Sequence, residues 1–148
     1  MHLKIHTKID TDIEDTSIEI IAKSKADLRK VLDVLKGIDD TIEAKQEGKI
    51  SQIRYSEILY FESVDKNTFA YTLKNVYEIS KWLHEIEEMM PKSFFRCSKA
   101  TIINLSKVKS FSPSFGSKII MNLMNGEKIY VSRKYVKPLN DKMKGVKS

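Results

Sequence analysis

A series of short β-forming runs, separated by polar turn residues, extends from residue 50 to residue 131 and limits the fold more than any other feature. Aromatic and β-branched side chains dominate these runs, which is typical of strands. Residues 65–68 and the pair Asn125 and Gly126 are typical of hairpin turns. The sequence therefore predicts a mainly antiparallel β domain with short helices. Strands are expected at residues 50–53, 58–64, 69–73, 76–79, 107–111, 119–123 and 128–131, and helices between Ser80 and Pro91 and from near Lys137.

Residues 94–104 combine apolar ends with a polar, cationic middle. Phe94 and Phe95 open the stretch and a β-branched run closes it, so both ends are expected to be buried. The middle, with Arg96, Ser98 and Lys99, is therefore expected to lie at the surface. Two cations and a hydroxyl on an anchored turn suit phosphates or base edges, and they suit an acidic protein surface almost as well.

The N-terminal part is predicted to be a small strand-strand-helix unit. Apolar residues at alternate positions predict strands at residues 3–9 and 18–22, joined by an acidic loop. Ser24 is expected to cap an amphipathic helix, and Gly37 is expected to end it. The polar residues 39–48 are expected to link this unit to the β domain. The predicted fold class is α+β, divided into residues 1–44 (a possible dimerisation or regulatory element) and 45–148.

The basic character of the chain is concentrated in its C-terminal third. Residues 92–148 contain 13 lysines and arginines against two acidic residues, which gives a net charge of +11. Residues 1–48 contain 8 basic and 11 acidic residues, which gives −3. This polarity indicates a polyanionic partner, either nucleic acid or an anionic membrane surface. A solvated basic face is the plain alternative.

The ionisable residues form no pattern typical of an enzyme or a metal site. His2 and His6 share one face of a predicted strand, but no cysteine or carboxylate is placed to complete a site. His84 lies beside acidic residues of a predicted helix without a nucleophile, which favours a solvated helix face. Cys97 is either a redox-sensitive thiol beside two cations or a strand residue packed partly inside. The sequence therefore predicts no enzyme, no metal and no cofactor.

Compartment signals are also weak. No apolar run approaches the ~18 residues that a membrane span needs, and the N-terminus has no apolar segment typical of a signal peptide. One cysteine in the whole chain fits a reducing compartment. The expected location is the cytoplasm.

Four segments of the chain form a recognisable set: Tyr60-Phe61-Glu62-Ser63, residues 94–105, Leu123-Met124-Asn125-Gly126-Glu127 and Val131-Ser132-Arg133-Lys134-Tyr135. Together they resemble the LytTR DNA-binding domain. The resemblance covers residues 49 to 145, in order and with matching spacing. It implies a bacterial transcription regulator in which loops of an elongated β fold enter successive major grooves of double-stranded DNA. It also implies homodimers on paired direct repeats.

The resemblance places the DNA-reading positions in three loops. The first loop is the turn over residues 65–68, in which Asn67 is able to take a positive φ. The second loop lies in the middle of residues 94–104. The third loop follows the last strand. Arg96 is either a further contact or the partner of a carboxylate such as Glu62. The implied DNA-binding residues are Lys66, Asn67, Arg96, Ser98, Lys99, Lys107, Arg133, Lys134 and Lys137.

This chain departs from many relatives in two respects. Relatives often place a histidine in the first and second loops, where this chain has Asn67 and the pair Ser98 and Lys99, so their base preference does not carry over. Many relatives carry an N-terminal phosphoreceiver domain, for which residues 1–48 are too short, so the chain resembles the stand-alone type. The alternative function is a basic interaction module that binds RNA, an anionic membrane surface or an acidic protein.

Overall fold

The structure is a computed structural model that describes the backbone of residues 2–145 and the side chains of residues 2–35 and 40–144. The chain divides into two compact units, Met1–Lys36 and Gly37–Ser148. The first unit contributes one helix, α1 (Lys25–Asp39), which continues past the division. Residues 2–23, all described by the structure, form neither helix nor strand.

The structure confirms the N-terminal helix and contradicts the two strands before it. Ser24 Oγ accepts a hydrogen bond from Asp27 N at 3.1 Å, which is the predicted cap. The helix runs through Gly37 to Asp39, so the predicted stop is wrong, since one glycine inside a helix costs only about 1 kcal/mol. The strands predicted at residues 3–9 and 18–22 are wrong because neither segment pairs with another strand within residues 2–145.

The second unit contains a seven-stranded antiparallel sheet. The strand order across it is β2-β1-β5-β4-β3-β7-β6, so β6 is an edge strand. The strands are β1 (Thr41–Gln46), β2 (Lys49–Arg54), β3 (Tyr60–Val64), β4 (Asn67–Tyr71), β5 (Val76–Ile79), β6 (Phe94–Ser98) and β7 (Thr101–Asn104). Strands β3, β4 and β5 pair in sequence order as a meander, formed by the strands predicted at residues 58–64, 69–73 and 76–79.

Strand β1 lies where a polar linker was predicted, so that prediction is wrong. Ile42 and Ala44 alternate with exposed polar residues and are buried in the core. Glu47 and Gly48 both have positive φ and turn the chain directly into β2. This polar segment forms a half-buried strand because β1 pairs with β2 on one side and with β5 on the other.

A three-stranded sheet and two helices complete the unit. The sheet comprises β8 (Val108–Pro113), β9 (Ile119–Leu123) and β10 (Lys128–Val131), with β9 in the middle. The helices are α2 (Leu83–Met89) and α3 (Arg133–Gly145).

Both helices begin at other residues than the sequence predicts. The backbone N–H of Trp82 donates to the Glu85 carboxylate at 2.9 Å, so Ser80 is not the cap of α2. Helix α3 begins at Arg133 and contains Pro138 beyond its first turn. The sequence predicted a start near Lys137 because proline fits the first turn of a helix but not its interior. Leu139, the residue after this proline, is buried at 2% exposure.

Two cores lie on opposite faces of the seven-stranded sheet. Phe94 and Ile102 pack with α2 residues in the first core, whereas their neighbours Phe95 and Ile103 pack with the second. The second core also takes in the three-stranded sheet and α3, through Met121, Leu123, Val131 and Leu139. Strands β6 and β7 are therefore buried on both faces, which explains their unbroken apolar pairs.

We expect Ile102→Ala to destabilise the protein by about 2–5 kcal/mol, because it leaves a cavity in a fully buried site. The matched control is Ile50→Ala in β2, whose side chain is 67% exposed and whose loss should change stability by less than about 0.5 kcal/mol. Urea unfolding followed by circular dichroism measures both. Equal losses for the two variants would contradict the assigned core.

Candidate nucleic-acid interface

The first two predicted loops lie side by side at one end of the seven-stranded sheet. Strand β7 pairs with β3, and Glu62 lies opposite Thr101. Beyond that pair, Ser63 N donates to the carbonyl of Ala100 at 2.8 Å, which joins the end of β3 to the β6–β7 turn. The β3–β4 turn and the β6–β7 turn therefore present their polar residues at the same end of the sheet.

The β3–β4 turn has two residues in the left-handed region. Asp65 has φ 48° and Lys66 has φ 68°, which is the geometry of a type I′ hairpin. The prediction that Asn67 takes positive φ is wrong, since Asn67 is the first residue of β4. Its Nδ2 donates to the carbonyl of Asp65 at 3.3 Å. The turn thus holds two exposed polar side chains, Lys66 and Asn67, on a backbone with little freedom.

Arg96 holds the β6–β7 turn from within. Its Nε donates to the carbonyl of Ser98 at 2.8 Å, and its Nη2 donates to the carbonyl of Lys99. Its Nη1 forms an ion pair with the carboxylate of Glu87 on α2. The suggested pairing with Glu62 is therefore wrong. Because every nitrogen of this guanidinium has a partner, Arg96 positions the turn, and the exposed Lys99 projects from it.

A register shift in β6 connects this turn to the third predicted element. The pairing with β7 skips Cys97 between Arg96 and Ser98. The carbonyl of Cys97 accepts hydrogen bonds from Ser132 N at 3.0 Å and from Ser132 Oγ at 3.3 Å. The residues that follow Ser132 are therefore fixed beside the β6–β7 turn.

The third element is the first turn of α3, not a loop. Arg133 and Lys134 are both exposed there, and Lys137 follows one helical turn later. The Nζ of Lys134 lies 5.7 Å from the centroid of the Tyr135 ring, within the range of a cation–π contact. All the predicted contact residues in this element share one exposed helix start.

The segment Phe115–Ser117 is a neighbour of this surface that the sequence did not indicate. A Cβ at Gly116 would lie 2.9 Å from Nη2 of Arg133, so the guanidinium lies against this backbone. Phe115 is 96% exposed. The sequence marked this region only as a turn, and no local pattern relates it to Arg133, which lies in another element.

Lys107 lies away from the other candidates. It ends the 3₁₀ turn Leu105–Lys107, which follows the far end of β7. That end is about 13 Å from the β6–β7 turn, at ~3.3 Å per strand residue. Lys107 instead lines a cavity of about 370 Å³ together with Leu73 and Met124.

Cys97 and Asn104 have structural roles. Burial raises the pKa of the Cys97 thiol to about 12, which outweighs the lowering effect of Arg96. The interpretation of Cys97 as a packed strand residue therefore holds. Asn104 is 1% exposed; its Nδ2 donates to the carbonyl of Ile58 at 2.9 Å, and its Oδ1 accepts from Ser106 N at 3.1 Å.

Within the part of the chain that the structure describes, no group of three or more His, Cys, Asp or Glu side chains is placed to hold a metal ion. No helix in that part is long and apolar enough to cross a membrane.

Comparisons with known proteins agree with the fold and with the resemblance seen in the sequence. The sequence model of the LytTr DNA-binding domain family matches residues 48–144. A solved LytTr DNA-binding domain from Bacillus cereus superimposes with a TM-score of 0.68 at 25% identity, over 71% of this chain and 97% of that domain.

Full-length relatives are also similar. Two proteins described as uncharacterized HTH-type transcriptional regulators, from Staphylococcus aureus strains NCTC 8325 and COL, are each 24% identical over 144 residues. The alignment covers 95% of this chain and 98% of each relative, so the similarity includes the N-terminal unit.

We expect the native protein to react very slowly with Ellman's reagent, because the Cys97 thiol is buried and its pKa is raised to about 12. At mildly alkaline pH almost no thiolate forms in the folded state, whereas the unfolded thiol ionises near ~8.5. Absorbance of the released thiolate, with and without denaturant, measures this difference. Rapid labelling of the folded protein would contradict the assignment.

Proposed function

The chain belongs to the LytTR DNA-binding domain family, and from this premise we propose that one end of its seven-stranded sheet binds double-stranded DNA to regulate transcription. One observation carries the choice of surface. Three cationic elements that are far apart in sequence are joined by backbone hydrogen bonds at the same end. The elements are the β3–β4 turn, the β6–β7 turn and the start of α3.

The order of the three elements across the sheet supports one role for the two outer elements and another for the middle one. The strands run β4-β3-β7-β6 across the sheet, and Ser132 bonds to the outer side of β6. The β6–β7 turn is therefore the middle element. We assign the two outer elements to successive major grooves, where Lys, Arg and Asn side chains read base edges. Ser98 and Lys99 then face the DNA backbone that lies between the grooves.

Not every candidate residue belongs to the proposed surface. Arg96 acts through the backbone of the β6–β7 turn rather than on DNA directly, since its donors are engaged within the protein. Lys137 lies on α3 one turn from Arg133, where it suits a phosphate. We leave Lys107 out, because it lies at the far end of β7.

The proposed setting is the cytoplasm of a bacterium, where the chain binds paired direct repeats as two copies. The net charge of +11 over residues 92–148 supports a polyanionic partner of this kind. The family is a DNA-binding family rather than a class of enzymes.

If Lys134 reads a base, we expect Lys134→Ala to weaken binding to a preferred duplex by about 1–3 kcal/mol. If Lys134 contacts a phosphate, we expect the slope of the logarithm of the binding constant against the logarithm of the salt concentration to fall in magnitude by about 1. The matched control is Lys74→Ala in the β4–β5 turn, which removes the same charge at the opposite end of the sheet. Fluorescence anisotropy at several salt concentrations, with preferred and scrambled duplexes, measures both effects. Equal losses for the two variants would contradict the surface, and equal affinity of wild-type protein for both duplexes or for structured RNA would contradict specific DNA binding.

We expect Arg96→Lys to weaken specific binding by about tenfold although it keeps the charge, because lysine cannot bond two carbonyls and the Glu87 carboxylate in one planar arrangement. Arg54→Lys, at an exposed position in β2, is the control and should bind as wild type. The same anisotropy assay compares them. An unchanged DNA affinity of the Arg96→Lys variant would show that DNA binding does not depend on the contacts of Arg96 with the turn.

A further inference from the structure

Residues 3–13 have the side-chain pattern of an amphipathic strand although they form no strand in this chain. Apolar residues and threonines occupy every odd position, and charged or histidine side chains occupy every even position. On a strand these two sets lie on opposite faces. The odd set is Leu3, Ile5, Thr7, Ile9, Thr11 and Ile13, and the even set is Lys4, His6, Lys8, Asp10 and Asp12.

The apolar face of this segment is open to solvent. Ile5 is 80% exposed and Ile9 is 93% exposed; Leu3 and Ile13 are more than half exposed. Such a row of aliphatic side chains at strand spacing indicates a surface that pairs with another strand. No strand in residues 2–145 pairs with it.

The charges of the segment identify the partner. Its first half is basic, with Lys4, His6 and Lys8, and its second half is acidic, with Asp10, Asp12 and Glu14. A strand with this order is complementary to a copy of itself that runs in the opposite direction. We propose that residues 4–14 form a two-fold symmetric, antiparallel β-pair with the same residues of a second copy of this chain.

The register follows from the sequence. When Ile9 lies opposite Ile9 of the second copy, every other position of the pair is matched as well. Opposite residues of antiparallel strands share a face, so the charged pairs all lie on one side and the apolar and threonine pairs on the other. The matched pairs are Lys8 with Asp10, His6 with Asp12, Lys4 with Glu14, Thr7 with Thr11 and Ile5 with Ile13.

Neighbouring registers are unfavourable. A shift of the centre to residue 8 places Lys8 opposite Lys8, and a shift to residue 10 places Asp10 opposite Asp10. A centre between two residues places apolar residues opposite charged ones. Parallel pairing in register places every charge beside its own kind. The sequence thus selects one arrangement, with the isologous symmetry of most homodimers.

Folding of the segment back on itself fits the sequence less well. The structure has a turn at residues 11–12, in which Asp12 N donates to Asp10 Oδ1 at 3.0 Å. A hairpin around Asp10–Asp12 that matches Ile9 with Ile13 would place Ile5 opposite Ser17 and Lys4 opposite Ile18. Formation of the intermolecular pair breaks the hydrogen bond between Asp12 N and Asp10 Oδ1 and forms backbone hydrogen bonds between the two strands instead.

Helix α1 can cover the apolar side of the paired strands. A two-stranded ribbon alone is marginally stable in water. The helix carries an incompletely buried apolar stripe at helical spacing, formed by Leu28, Val31, Leu32 and Leu35. Two copies of the N-terminal unit thus supply two strands and two apolar helix faces. This inference does not rest on DNA binding, because none of these residues belongs to the proposed DNA surface.

Sedimentation velocity of the full-length protein without DNA, over a dilution series, tests the proposal. We expect wild type to dimerise and Lys4→Glu/Lys8→Glu to dimerise about tenfold or more weakly, since four cross-strand charge pairs become repulsive. The partner variant Asp10→Lys/Glu14→Lys should fail in the same way alone. A mixture of the two should form heterodimers, because opposite charges then face each other at all four positions.

The matched control is Lys23→Glu/Lys25→Glu, which changes the same number of exposed charges away from the paired residues, at the start of α1, and should dimerise as wild type. A wild-type chain that stays monomeric throughout, or a dimer that the charge changes leave intact, overturns the proposal. Either result leaves the anisotropy assays on DNA unaffected.

A cross-link tests the register directly. We expect Ile9→Cys to form a disulfide-linked dimer under mild oxidation, because residue 9 lies opposite its own copy. Thr16→Cys, outside the paired residues, should not cross-link at that rate, and the buried Cys97 should not react in either protein. Non-reducing electrophoresis measures the product. Equal cross-linking at both positions overturns the register.

Discussion

The rest of the second unit depends on the burial of the β6–β7 hairpin on both of its faces. Phe94 and Ile102 face one core, and Phe95 and Ile103 face the other. A shift of one residue in this hairpin would exchange the contents of the two cores. The register of these strands is therefore fixed strongly, and with it the position of the polar turn that joins them.

The bulge at Cys97 transmits that fixed position to a second part of the chain. Because the pairing with β7 skips this residue, its carbonyl is free to accept both hydrogen bonds from Ser132. Arg133 and Lys134 follow at once, so the start of α3 is placed relative to the β6–β7 turn by backbone contacts. Arg96, one residue before the bulge, bonds the carbonyls of the turn itself. One irregularity in β6 thus organises two of the three cationic elements.

Local patterns in the sequence were sufficient for much of the fold and for most candidate positions. The strand runs and hairpin turns from residue 49 onward depend on side chains that are close in sequence, and the structure confirms them. The predictions that are wrong concern residues whose partners are distant in the sequence. Strand β1 is short and polar on one side, and pairing with β2 and β5 makes it a strand. The pairing of Arg96 with Glu87 and the contact of Arg133 with Gly116 join separate elements. The strand predicted at residues 3–9 is wrong for the opposite reason, since the side-chain pattern is strong but no strand within residues 2–145 pairs with it.

We propose that DNA binds at the end of the sheet that carries the β3–β4 turn, the β6–β7 turn and the start of α3. Chemical-shift mapping by NMR, with a preferred duplex added to labelled protein, tests it most directly. We expect the largest amide shifts at residues 65–67, 98–100 and 132–134, and unchanged amides at residues 72–75 and 105–107 at the opposite end. Shifts concentrated at residues 72–75 and 105–107 would contradict it.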